Sequence, residues 1–122
     1  MTEKEFWLFL EDALERGREP QISFTRDSDI PELREQGRYI GGHSLLPENY
    51  DKIPKEKIVE MGELLLARKV KRSTKEAVMM ILAHHGSDEA LKALKKYNKK
   101  PDKGLEIYAE LALQECEMWN ED

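Results

Sequence analysis

Seven consecutive apolar residues, Ala77 to Ala83 (AVMMILA), constrain this chain more than any other feature. A helix turns about 100° per residue, so seven in a row cover its whole circumference. Such a helix has no face to offer water and must be buried among neighbours. A membrane cannot be that neighbour, because a spanning helix needs about 20 apolar residues. The other long run, Phe6 to Leu10, is shorter still. The cover must therefore come from the chain's own helices, and the search is for amphipathic segments that can supply it.

Four such segments are readable. Thr2 with Glu5 three residues on forms a capping box, opening a helix from Glu3 to about Arg16 with Phe6, Leu10, Ala13 and Leu14 as its stripe. Gly17 and Pro20 close it. Pro54 suits a first helical turn and opens a helix to about Lys69, with Ile58, Met61, Leu64 and Leu65 inward. Gly62 inside it costs roughly 1 kcal/mol against alanine, which predicts a close helix contact there. Ser73 and Glu76 form a second capping box ahead of the apolar run, giving Lys75–His85, with Gly86 as its stop. Ser87 caps Asp88–Asn98, whose stripe is Leu91, Leu94 and Tyr97, and the last helix runs from Lys103 to about Trp119. The predicted class is all-α and a single domain over residues 1–122.

Residues 19–53 behave differently. Pro20, Pro31, Gly37, Pro47 and the pair Gly41-Gly42 interrupt every long period. Ile22 to Thr25 alternates like a short strand, and Pro31 to Gln36 suits one helical turn. Phe24, Ile30, Leu33, Tyr39, Ile40, Leu45, Leu46 and Tyr50 supply too much apolar content for a flexible linker. An ordered, irregular connection is expected.

A period of about 30 residues relates the last four helices. Met61, Leu64 and Ala67 align with Leu91, Leu94 and Tyr97; Val78, Met79, Ile81, Leu82 and Ala83 align with Tyr108, Ala109, Leu111, Ala112 and Leu113. The string AVMMILAHHGSDEALKALKKY resembles the second helix, glycine turn and next first helix of a HEAT repeat, and LEIYAELALQEC resembles another second helix. The resemblance covers residues 54–119, about two degenerate units, and residues 1–53 do not match it. It implies a short right-handed stack of antiparallel helical hairpins that serves as a protein-binding scaffold, with no catalytic motif. The helix at 1–18 would then act as the cap, covering Leu65 and Leu66.

Charge is segregated along the chain. Residues 1–51 hold 6 basic and 12 acidic groups, residues 52–103 hold 14 and 7, and residues 104–122 hold 0 and 6. The nets are −6, +7 and −6, leaving −5 overall. Two charged rows follow from the helical spacing. Glu76, Met80 and His84, with Glu106, Glu110 and Gln114 thirty residues later, would line the inner side of a stack as an acidic groove for a basic peptide or protein. Lys92, Lys95, Lys96, Lys99 and Lys100, with Arg68, Lys69, Lys71, Arg72 and Lys103, would form a basic outer face. Nucleic acid is the alternative partner for that face, although no aromatic interleaving or base-reading motif accompanies it and the flanking segments are acidic.

Catalytic and metal readings are weaker. His84 and His85 point about 100° apart on a helix, so they cannot grip one metal as an i, i+4 pair can. His43 is the remaining imidazole, and Cys116 the sole cysteine. An enzyme or metal site would have to recruit His43, His84, His85 or Cys116 from separate segments. Cys116 reads instead as a small buried apolar residue, and a single cysteine fits a reducing cytosol. No cofactor and no leader peptide are expected. Trp119 either anchors a partner or packs on Tyr97 or Tyr108 as the end of the fold.

Overall fold

The computed structural model describes residues 1–17 and 50–120, and among these every regular element is helical. They are α1 (Glu3–Gly17), a 3-10 turn (Tyr50–Lys52), α2 (Lys55–Leu66), α3 (Arg72–His84), α4 (Asp88–Lys99) and α5 (Glu106–Asn120). The strand-like Ile22–Thr25, the helical turn at Pro31–Gln36 and the Gly41-Gly42-His43 turn lie outside the described residues.

The apolar run sits where its composition requires. Every residue from Ala77 to His85 is buried, and Val78, Met79, Leu82 and Ala83 are fully so. At about 1.5–3 kcal/mol for each large side chain removed from water, this helix is the main apolar contributor to the fold. It packs against α2, α4, α5 and the 3-10 turn. Phe6 and Leu10 of α1 join the same core, which is continuous across all the described helices.

Named contacts give the helix directions. Lys55 Nζ lies 4.0 Å from Glu89 Oε1, and a Cβ placed on Gly62 would lie 2.9 Å from the Ala93 Cβ, so α2 and α4 run parallel. Lys75 reaches Asp102 and His84 reaches Glu115, so α3 and α5 also run parallel. Asn98, near the end of α4, donates to the Ala109 carbonyl at the start of α5 at 3.0 Å, which makes that pair antiparallel. By the same geometry α2 and α3 are antiparallel.

Several helix ends differ from the sequence reading. The Thr2–Glu5 capping box forms, with Thr2 N to Glu5 Oε1 at 2.9 Å and Glu5 N to Thr2 Oγ1 at 3.1 Å. The hydrogen bonds with Thr2 hold the Glu5 carboxyl below the usual range. Ser87 caps α4 through the Ala90 amide at 3.2 Å. The Ser73–Glu76 box does not form, because α3 begins earlier, at Arg72, after Lys71. Glu76 takes the Arg72 guanidinium at 3.3 Å instead, and α1 reaches across to this end. Glu3 accepts from the Lys71 amide at 3.3 Å and from the Thr74 hydroxyl at 2.6 Å, while Trp7 Nε1 donates to that hydroxyl at 2.9 Å. Pro54 stands just ahead of α2, and that helix stops at Leu66, since residues 66–69 are all exposed and no burial sustains another turn. Leu65 is fully buried, but Leu66 remains on the surface. The start of α5 moves to Glu106 because Gly104, at φ +91°, turns the chain first.

Gly62 is required by its neighbour. Gly62→Ala would press a methyl group onto Ala93, and α2 and α4 would have to separate. A loss of about 1–3 kcal/mol is expected for the variant in urea unfolding; unchanged stability would show that the helices part freely.

Candidate functional site

The two halves of the predicted groove separate. On α3, Met80 is 1% exposed and its carbonyl lies 2.9 Å from His84 Nδ1. His84 is buried, with Nε2 2.8 Å from Glu115 Oε2, and its ring is flanked by Tyr50 at 5.9 Å and Trp119 at 6.4 Å between centroids. Glu76 is half-buried, paired with Arg72, and its carbonyl accepts from the Tyr108 hydroxyl at 3.1 Å. On α5, Glu106, Glu110 and Gln114 are exposed. Glu106 accepts from the Gly104 amide at 2.9 Å, and Gln114 lies 3.5 Å from Glu110. Equal spacing therefore does not give equal exposure. The α3 row is pressed against α5 and the 3-10 turn, whereas the α5 row faces outward.

The α5 row is longer than the spacing argument proposed. Glu106, Glu110, Gln114 and Glu117 fall within about 80° of the helix circumference, and all four are exposed. Met118 follows Gln114 by one turn and is 69% exposed. Trp119 is 54% exposed and rests on the His84 ring, with neither Tyr97 nor Tyr108 as its ring neighbour.

Lys92, Lys95, Lys96, Lys99 and Lys100 are exposed as expected, and none makes an ion pair with another described residue. The enzyme and metal candidates diverge. His85 points to the Ile53 carbonyl (2.9 Å) and the Ser87 hydroxyl (2.8 Å), where it ties the segment before α2 to the α3–α4 turn. That network, with His85 extended, ends α3 at His84; Gly86 is exposed and has no positive φ. Cys116 is fully buried, and burial with the nearby Glu117 pushes its thiol up to about 11. His43 lies outside the described residues. Among the described residues, no group of three or more His, Cys, Asp or Glu side chains could hold a metal ion, and no helix is long and apolar enough to cross a membrane.

One polar cluster escaped the sequence reading. Lys75 is 3% exposed, and its ammonium bonds to Asp102 Oδ2 and lies 5.6 Å from the centre of the Tyr97 ring. The Tyr97 hydroxyl donates to the same carboxylate oxygen at 2.6 Å and accepts from the Asp102 amide at 3.1 Å. Burial and the hydrogen bond to Asp102 push the Tyr97 hydroxyl well above its ordinary range. For Asp102, burial opposes ionisation, but the hydrogen bonds from Lys75 and Tyr97 and the ammonium charge outweigh it, so its carboxyl is lowered. The cluster joins α3 to the α4–α5 loop and satisfies a cation that would be costly to bury alone. A signal for it existed: the 30-residue alignment sets Lys75 against Leu105, which is buried.

No family model matches this chain, and neither a curated protein nor a solved structure resembles it closely enough to be matched.

Asp102→Asn tests the cluster through its pH dependence. A lowered folded-state carboxyl contributes stability that is present above its unfolded value, near 4, and is lost as pH falls through the folded value. The variant is expected to be less stable than the parent at pH 7 in urea unfolding, with the gap closing in acid. A gap independent of pH would contradict the ion pair.

Proposed function

We propose that this chain is a non-catalytic protein-interaction module, built as a short HEAT-like stack, that engages a basic peptide or protein segment through the outer face of α5. The observation that carries the reading is the composition of that face. Exposed carboxylates of Glu106, Glu110 and Glu117 stand beside the exposed thioether of Met118. Protein interfaces combine an apolar or aromatic anchor with a polar rim, and acidic rims steer basic partners. Trp119, half-exposed at the end of the same helix, adds aromatic surface of the kind that dominates binding energy.

The HEAT-like arrangement is supported by the parallel pairs α2/α4 and α3/α5 and by the 30-residue offset between them. The inner part of the original groove contributes differently. Met80 and His84 support α5 from beneath, and the reachable part of the site is Glu110, Gln114, Glu117 and Met118. A non-catalytic role is favoured by the divergence of His84, His85 and Cys116. The lone buried cysteine is compatible with a reducing compartment such as the cytosol.

Charge reversal tests this face. Glu106 also holds the Gly104 amide, so the informative variant is Glu110→Lys with Glu117→Lys. Selection of Lys/Arg-rich helical peptides from a displayed library should recover binders of the parent. Their affinity should fall by about tenfold or more on the double variant, since rim charges repelling a cationic partner cost upward of 1 kcal/mol. Equal binding by both proteins would remove α5 from the interface.

A further inference from the structure

The parallel helix pairs have a consequence for the basic residues. Because α2 runs parallel to α4, and α3 to α5, the α2–α3 loop (67–71) and the α4–α5 loop (100–105) emerge at the same end of the molecule. Direct contacts between the start of α3 and the second loop establish this. Lys75 bonds to Asp102, and a Cβ on Gly104 would lie 2.9 Å from an Arg72 guanidinium nitrogen. Arg68, Lys69, Lys71, Lys99, Lys100 and Lys103 are thereby gathered from two distant stretches of sequence onto one end. All six are exposed, and none makes an ion pair with another described residue.

Four of the described acidic groups near this end are engaged within the fold. Glu3 accepts from the Lys71 amide and the Thr74 hydroxyl, Glu76 pairs with Arg72, Asp102 pairs with Lys75, and Glu106 accepts from the Gly104 amide. Helix C-terminal dipoles favour a cation in the last turn, which accounts for Lys99, but the other five lie beyond the helices. We propose that this loop end is a contact surface for the phosphate backbone of nucleic acid, held without sequence preference.

The composition of the surface favours this partner over an acidic protein. A protein interface needs an apolar core, and neither loop carries an exposed large hydrophobic residue, Leu66 at the end of α2 being the single one that adjoins them in sequence. Nucleic-acid interfaces are polar and strongly positive. Neither loop carries an aromatic side chain on which a base could stack, so binding rests on charge neutralisation alone. The basic end borders Glu106, whereas the reachable part of the acidic α5 face runs toward Met118 and Trp119 at the far end of a 15-residue helix, about 20 Å away along its axis.

Fluorescence anisotropy of a labelled oligothymidylate and a labelled DNA duplex with the full chain tests the proposal. Both should bind at low salt. With about three phosphates neutralised, affinity for the duplex should fall roughly forty-fold between about 50 and 200 mM salt. Lys99→Glu, Lys100→Glu and Lys103→Glu together should abolish retention with the far-UV circular dichroism spectrum unchanged. A milder set, Arg68→Gln, Lys69→Gln and Lys71→Gln, should reduce the salt slope. Glu110→Lys with Glu117→Lys should leave nucleic-acid binding intact, which separates this surface from the peptide-binding face. No binding at low salt, or binding indifferent to salt, would overturn the proposal. So would competition by polyglutamate as effective as that by nucleic acid, which would mark an acidic protein as the partner.

Discussion

A helix with no polar side is stable in water only when neighbours cover it all round, and α3 meets that condition from Ala77 to Ala83. Each of the other described helices owes its position to this demand. α2, α4 and α5 pack directly on α3, and α1 brings Phe6 and Leu10 into the same core. Since α3 contributes its whole circumference, the covering helices need only one apolar stripe each. Their outer faces are left free for charge. The segregated lysines and carboxylates are thus a surface consequence of one fully buried helix.

The polar residues on α3 are placed at its ends, where the apolar seal has to be closed against loops. At the first end, Lys75 turns inward to Asp102 and Tyr97, while Thr74 links Trp7 and Glu3 of α1. At the other end, His84 meets Glu115 and His85 meets Ile53 and Ser87. Each of these buried polar groups on α3 has a partner from a different element, so the apolar core sets how tightly the helices pack and the polar ends set their register. Both loop ends are held by such contacts.

Much of the helical content was legible in the sequence, because capping, periodicity and glycine placement agree within single segments. The Thr2–Glu5 box, the Ser87 cap and the close approach at Gly62 are all local signals, and each is realised. The failures are non-local. The Ser73–Glu76 box gave way to a helix start at Arg72, where Glu3, 68 residues away along the chain, accepts from the Lys71 amide. Met80 and His84 look like the start of an exposed row when α3 is read as an amphipathic helix. The circumferential burial of Ala77–Ala83 already implied that no row on this helix could face outward, and the two readings of one segment were in conflict. Lys75 was legible only as the start of its helix, because the Asp102 and Tyr97 that hold it buried come from a distant segment. The gathering of the two basic loops depends on the parallel helix pairs, which no local pattern encodes.

Native-state hydrogen exchange tests the central role of α3 most directly. If the fold is organised around this helix, the amides of residues 78–84 exchange only through global unfolding. Their protection free energies should then equal the unfolding free energy from denaturant titration and should fall with the same dependence on denaturant. Amides of α1, which has a smaller described share of the core, should open at lower free energy. Exchange of the α3 amides through denaturant-independent local opening, ahead of those in α4 and α5, would contradict the account.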